Sequence, residues 1–225
     1  MGFDPAALRR QFPILAQPVH GKALHYLDNG ATAQMPQAVL DAVMHHETRA
    51  RANVLRSVHY LAEAATEAYE AARATMARYL NARAPEEVVF TSGCTAAINL
   101  VAHCFVAGLQ PGDEVLISLI EHHANFVPWQ MARERRGIVL KAVPVTADGR
   151  LDLSALNRLV TPRTRLISLT HASNVTGAET DVAAVVAAAR AVGAKVMLDG
   201  AQRAPHGPLD VQALGIDFYA LAGHK

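Results

Sequence analysis

Five points along the chain carry side chains able to do covalent or ionic chemistry, and each lies where an apolar run stops. DFYALA leads into Gly223-His224-Lys225, an amine able to bond a carbonyl carbon. KVMLD closes on Asp199, followed by Gly200-Ala201-Gln202. A carboxylate at the end of a buried run is costly unless a cation or hydrogen-bond donor meets it. EVLISLI is followed by Glu121-His122-His123-Ala124-Asn125, and RLISLT by a polar turn, His171-Ala172-Ser173-Asn174-Val175-Thr176-Gly177. EVVF is followed by Thr91-Ser92-Gly93-Cys94-Thr95, a small-residue loop opening a helix, which suits a phosphate because free amides and the helix dipole meet there. Singly, each has an ordinary reading as an N-cap, a solvated turn or a surface lysine.

The elements that must position these groups are legible as alternation. A helix without internal Gly or Pro is expected over about Leu61 to Leu80. Strands are expected near Glu87–Phe90, Glu114–Ile120, Ile138–Val145, Arg165–Thr170, Lys195–Asp199 and Asp217–Ala222. Helical stretches separate most of them: TAAINLVAHCFVAG, FVPWQMARERRG, LSALNRLV and DVAAVVAAARAVG. Strands apolar along nearly their whole length, joined by helices, predict an α/β fold with a mostly parallel sheet covered by helices on both faces. Right-handed crossovers put all the carboxyl ends on one edge, where such sheets bind ligands. The third run ends in Pro144-Val145-Thr146 with nothing reactive. A phosphate seat, a flat ring, an amide, an acid and an amine on one edge match the needs of pyridoxal 5'-phosphate.

Composition narrows the alternatives. Hydrophobic residues are 51% of 225, and the net charge is +1 with mixed signs, so neither a nucleic-acid stripe nor a polybasic membrane patch is present. MGFDPAALRRQFPIL reads as a short helix capped by Asp4 with Pro5 in its first turn, not as a signal peptide. No apolar run of membrane-spanning length occurs. Cys94 and Cys104 make no disulfide framework, which points to a reducing compartment, simplest as the cytoplasm. Cys104 is expected in the core, and Cys94 is not expected to be a functional thiol. Adjacent histidines at 122–123 and 45–46 are poor chelates, the latter pair reads as surface, and no H-E-x-x-H or C-x-x-C occurs, so no metal site is expected. Walker A and G-x-G-x-x-G loops are also missing.

From about Tyr26 to Lys225 the sequence resembles class V aminotransferase-like enzymes of the pyridoxal-phosphate fold type I. It is most similar to group II (Suf-type) cysteine desulfurases and selenocysteine lyases. The matching stretches are LDNGAT, NARAPEEVVFTSGCTAAINLVA, EHHANFVPWQ, THASNVTG, LDGAQ and AGHK. The resemblance implies that Lys225 is the Schiff-base lysine and later moves protons, Asp199 pairs with the pyridinium nitrogen, and Gln202 meets the phenolic oxygen. His122 then stacks on the ring and shares the catalytic role with Lys225. Cys94, Thr95 and His224 line the phosphate, Asn174 serves cofactor and substrate, and Asn29, Gly30 and Arg56 face substrate. Departures stand at Ala222, where the family has Ser, at Cys94 and Ala96, and at Leu55 and Ser57, which break an expected His-Arg-Gly.

What the resemblance implies for the whole is a cysteine desulfurase that turns L-cysteine into L-alanine plus an enzyme-bound persulfide. It would feed iron–sulfur cluster assembly through a small sulfur-acceptor protein, as a homodimer when complete. Alternatives are a selenocysteine lyase acting on L-selenocysteine, another class V reaction, or a cofactor domain dependent on a partner. The expected division is an N-terminal helical segment, 1–25, and an incomplete pyridoxal-phosphate-binding large domain, 26–225. The C-terminal small domain, the substrate-clamping arginine and the sulfur-accepting cysteine are expected to be missing. A fragment so ended is expected to be inactive alone, to retain cofactor poorly and to leave a sheet edge uncovered.

Overall fold

The computed structural model describes residues 2–225. Two compact units divide the chain: residues up to Met76 together with His224–Lys225, and Ala77–Gly223.

In the first unit, α1 (Pro5–Arg9) starts where the sequence predicts, with Asp4 Oδ1 accepting from the amides of Ala6 (2.9 Å) and Ala7 (3.1 Å). The two-residue strands β1 (Pro18–Val19) and β2 (Lys22–Ala23) form a hairpin over His20-Gly21, both with positive φ. Then come α2 (Gln37–His45), with one further π-helical turn, and α3 (Tyr60–Leu80). The unit boundary falls inside α3, whose residues Ala62 and Ala65 are buried. His45 is exposed and His46 partly so, in keeping with a surface pair.

The second unit is the parallel sheet. Its elements are α4 (Cys94–Val106), β3 (Glu114–Ser118), α5 (Val127–Arg136), β4 (Val139–Val143), α6 (Leu156–Leu159), β5 (Thr164–Thr170), α7 (Val182–Arg190), β6 (Lys195–Asp199), α8 (Val211–Leu214) and β7 (Phe218–Ala220). The order is β4-β3-β5-β6-β7 with every pairing parallel. The chemically silent β4 therefore takes an edge.

Strand parity assigns side chains to two cores. Val115 and Ile117 of β3, Leu166 of β5 and Met197 of β6 pack with Ile98, Ala102 and Val106 of α4 and Trp129 of α5. Leu116, Ile167, Leu169, Val196 and Leu198 pack on the other face against Val182, Val185, Val186 and Ala189 of α7. The period of two fixes the site as well. Asp199 shares the face of Met197, toward α4; Ser168 shares that of Leu166, toward α5; Tyr219 takes the α7 face.

Two expectations are corrected. The run Glu87–Phe90 is not a strand: Pro85–Glu87 is a 3-10 turn closed by Val88 N–H to the Pro85 carbonyl (2.9 Å), and 88–90 continue as irregular chain. Proline at the first position favours that turn over extension. Cys104 is exposed, not in the core. The buried stripe of α4 runs Ile98, Ala102, Val106, and Cys104 falls beside exposed Leu100 on the other side. That side lines a groove of about 840 Å³ with Val88, Val89, Phe218 and Tyr219. Among the described residues, no helix is long and apolar enough to cross a membrane.

Candidate active site

Within the second unit the carboxyl edge of the sheet gathers the predicted groups. Asp199 ends β6 and is 5% exposed. Its Oδ1 accepts from the Ala201 amide (3.0 Å) and from Cys94 Sγ–H (3.4 Å), so α4 and β6 meet at this carboxylate. Among the described residues Oδ2 receives no hydrogen bond, which leaves an acceptor for an incoming N–H.

Cys94 is the first residue of α4, with Gly93 as N-cap at φ 127°. A Cβ at Gly93 would meet nothing within 4 Å, so the backbone angle and not space calls for glycine. Among the described residues no side chain caps this end. Thr95 is exposed in the first turn, and its amide and that of Ala96 precede the first helical bond, Ala97 N–H to the Gly93 carbonyl (3.0 Å). Gln202 is half-buried in the turn after β6. Asn174 is exposed in the turn after β5, where Ser173 Oγ accepts from the amides of Val175 and Thr176 at 3.2 Å each.

His122 is exposed at the end of β3 and heads a 3-10 turn. Its Nδ1 accepts from the Ala124 amide at 3.1 Å, which places the neutral ring's proton on Nε2.

The other predicted residues belong to the first unit. Asn29 and Gly30 form an exposed turn, and Arg56 is exposed beside Leu55, whose φ of 63° is left-handed. Leu55 N–H donates to Thr66 Oγ1 (3.0 Å), so the segment is tied to α3 at that point. The His224 carbonyl accepts from Ala33 N–H (2.8 Å) and the Thr32 hydroxyl (3.3 Å), which fixes the residue before Lys225. In the second unit Ala222 is buried and offers no hydroxyl.

Two buried clusters escaped the sequence reading. Glu121 accepts from the Ser118 hydroxyl, the Thr170 amide (2.9 Å) and Asn125 Nδ2 (2.7 Å). Burial pushes its carboxyl up to about 7, against the lowering effect of these donors and with a further push from Asp199. On the α7 face, His171 Nδ1 lies 3.1 Å from the Tyr219 hydroxyl. Burial and the Arg203 guanidinium lower the His171 pKa, and burial raises that of Tyr219. The only available signal for the first cluster was an acid and an amide four apart after an apolar strand.

The sequence model for class-V aminotransferases matches residues 25–225. The chain belongs to that family. A cysteine desulfurase of Dickeya dadantii is 47% identical over 97% of the chain, and a probable cysteine desulfurase of Mycolicibacterium paratuberculosis is 46% identical over 99%. Among solved structures, the Escherichia coli cysteine desulfurase CsdA in its S-sulfonic acid form superposes with a TM-score of 0.86 at 43% identity over the whole chain. The apo cysteine desulfurase of Thermococcus onnurineus gives 0.92 at 32%, also over the whole chain. The chain spans 53% of the Dickeya relative, 33% of the Mycolicibacterium one, and 55% and 54% of the two structures.

Class-V membership makes pyridoxal 5'-phosphate the expected cofactor. The second unit fits it on its own geometry: a buried carboxylate with one open acceptor oxygen, reached across β6 from a helix start whose amides lack a cap. Among the described residues no three His, Cys, Asp or Glu side chains gather to hold a metal ion.

Proposed function

We propose that this chain forms the cofactor-binding part of a pyridoxal-phosphate-dependent cysteine desulfurase, releasing L-alanine from L-cysteine. The observation that carries the reading is Asp199, a buried carboxylate at a strand end with one oxygen held by Cys94 and Ala201 and the other open. The chemistry supplied by bound pyridoxal phosphate is electron withdrawal from the α-carbon of an amino acid.

The chain's own groups divide the remaining tasks. Asp199 Oδ2 accepts the ring N–H and keeps that proton in place. The Thr95 hydroxyl and the first amides of α4 hold the phosphate, with His224 as a further donor. His122 offers a flat face and Nε2–H, and Gln202 and Asn174 donate to ring or substrate oxygens. Lys225 bonds the cofactor and carries a proton to and from the substrate α-carbon. Asn29, Gly30 and Arg56 serve the substrate. Neither cysteine is assigned as sulfur acceptor. Cys94 Sγ is committed to Asp199, and Cys104 stands ten residues along α4, about 15 Å from its start. The proposal extends, through the desulfurase relatives, to pairing of two copies, a small acceptor protein, iron–sulfur supply and a cytoplasmic setting.

A chimera tests the activity: residues 1–225 replace the matching part of the Dickeya dadantii cysteine desulfurase. Alanine release from L-cysteine, abolished by Lys225→Ala, supports the proposal. A folded, cofactor-loaded chimera that releases none refutes it. The same chimera given L-selenocysteine separates the selenium reading.

A further inference from the structure

Glu121 lies where β3 hands over to the turn that carries His122, and its carboxyl oxygens meet donors from three directions. Oε1 takes the Ser118 hydroxyl from β3 and the Thr170 amide from β5; Oε2 takes Asn125 Nδ2 from the far end of the same turn. Asn125 is fixed in turn, since its Oδ1 accepts from the Ser168 hydroxyl (2.6 Å) and from Trp129 Nε1–H (3.1 Å). Ser118, Asn125, Trp129 and Ser168 are all fully buried. Both residues flanking the His122-His123-Ala124 segment are thereby tied to the central strands and to α5.

We propose that Glu121 is the positioning residue for His122, its carboxylate holding the 121–125 turn against β3 and β5 through three accepted hydrogen bonds. The proposal deepens the functional reading and rests on it for His122's service to the cofactor.

Donor and acceptor chemistry makes the assignment specific. A carboxylate only accepts, and all three partners donate. Glu121→Gln puts an NH2 opposite either Asn125 Nδ2 or the Thr170 N–H. Asn125 cannot reverse its amide, because Trp129 Nε1 is a donor only. Adding Asn125→Asp removes the conflict, since one of its oxygens accepts from the introduced NH2 and the other keeps Ser168 and Trp129.

Asp199 at the end of β6 is the charge acting on Glu121; β3 and β5 face it with uncharged Ser118 and Thr170, its own turn adds Asn125, His122 and His123, and Ser168 of β5 and Trp129 of α5 stand behind Asn125.

The test compares wild type, Glu121→Gln and the double variant Glu121→Gln/Asn125→Asp. Amide exchange at Ala124, whose N–H binds His122 Nδ1, and the imidazole nitrogen signals of His122 report position without cofactor. Pyridoxal-phosphate affinity reports the consequence. The single variant should lose ~10-fold or more in Ala124 protection and in affinity, with recovery to within ~3-fold in the double variant. Wild-type protection at Ala124 should also fall between about pH 4.5 and 7 and level above it, a dependence absent in Glu121→Gln. Unchanged His122 signals and Ala124 protection in a destabilised Glu121→Gln would show a purely structural role and overturn the proposal. If Glu121→Gln does not fold, Ser118→Ala decides by the same readouts, and an unmoved His122 again overturns it. A wild type that binds no pyridoxal phosphate refutes the functional reading, and the cofactor-free signals still judge the positioning.

Discussion

Replacing Glu121 by glutamine should alter how stability depends on pH, and the structure sets the size of the effect. The carboxyl is enclosed by Ser118, Thr170 and Asn125, and burial lifts its pKa from 4.5 to about 7. An acid that binds its proton more tightly when folded lends stability that is complete below its unfolded pKa and disappears as pH rises through its folded pKa. Wild type should therefore lose stability between about pH 4.5 and 7 relative to a variant that cannot titrate. At roughly 1.4 kcal/mol per pH unit, the loss is at most about 3 kcal/mol. Other groups titrate in both proteins and cancel in the difference. Urea unfolding of wild type and Glu121→Gln at half-unit steps from pH 4.5 to 8 gives that difference directly. It should fall by about 2–3 kcal/mol and then level above pH 7. The constant offset from the donor conflict does not affect the slope. A difference flat to within ~0.5 kcal/mol across the range would refute the burial argument, since the carboxyl would then titrate as in the unfolded chain.

Further expectations follow from single contacts. Asp199→Ala should weaken pyridoxal-phosphate binding by ~10-fold or more in equilibrium dialysis, and unchanged affinity would remove Asp199 from the site. Asp199→Asn should speed alkylation of Cys94 several-fold at fixed pH, because a carboxylate 3.4 Å away opposes the thiolate; mass-resolved iodoacetamide labelling measures this, with exposed Cys104 as internal reference. Leu198→Ala removes a fully buried side chain from the α7 face and should cost about 2–5 kcal/mol in urea unfolding. Gly200→Ala drives a Cβ into the Tyr219 ring, and should break the His171–Tyr219 contact, with a changed Tyr near-ultraviolet signal and a loss of about 1–3 kcal/mol.

Much of the arrangement was legible because it is local. The strand ending in Asp199 and the helix opening at Cys94 are written as an apolar run closed by an acid and a Thr-Ser-Gly loop, and both occur as read. The silent Pro144-Val145-Thr146 end follows an edge strand. Val88–Phe90 misled because β-branched and aromatic residues describe a surface that packs well in a sheet, not a partner strand, and Pro85 turned the preceding residues helical. Cys104 misled because cysteine is commonly buried, whereas position relative to Ile98, Ala102 and Val106 decides the matter on a helix. The Glu121 network was invisible for a different reason: Ser118, Thr170 and Ser168 come from two strands about fifty residues apart, and no periodicity in a single segment records their convergence.

Trapping tests the proposed bond between Lys225 and pyridoxal phosphate. The chain is incubated with pyridoxal phosphate, reduced with borohydride, digested and mapped by mass spectrometry. The cofactor is expected on Lys225, with little on Lys22, Lys141 or Lys195, and the label is expected to be lost in Asp199→Ala. Labelling spread over the four lysines, or confined to one of the other three, would contradict it.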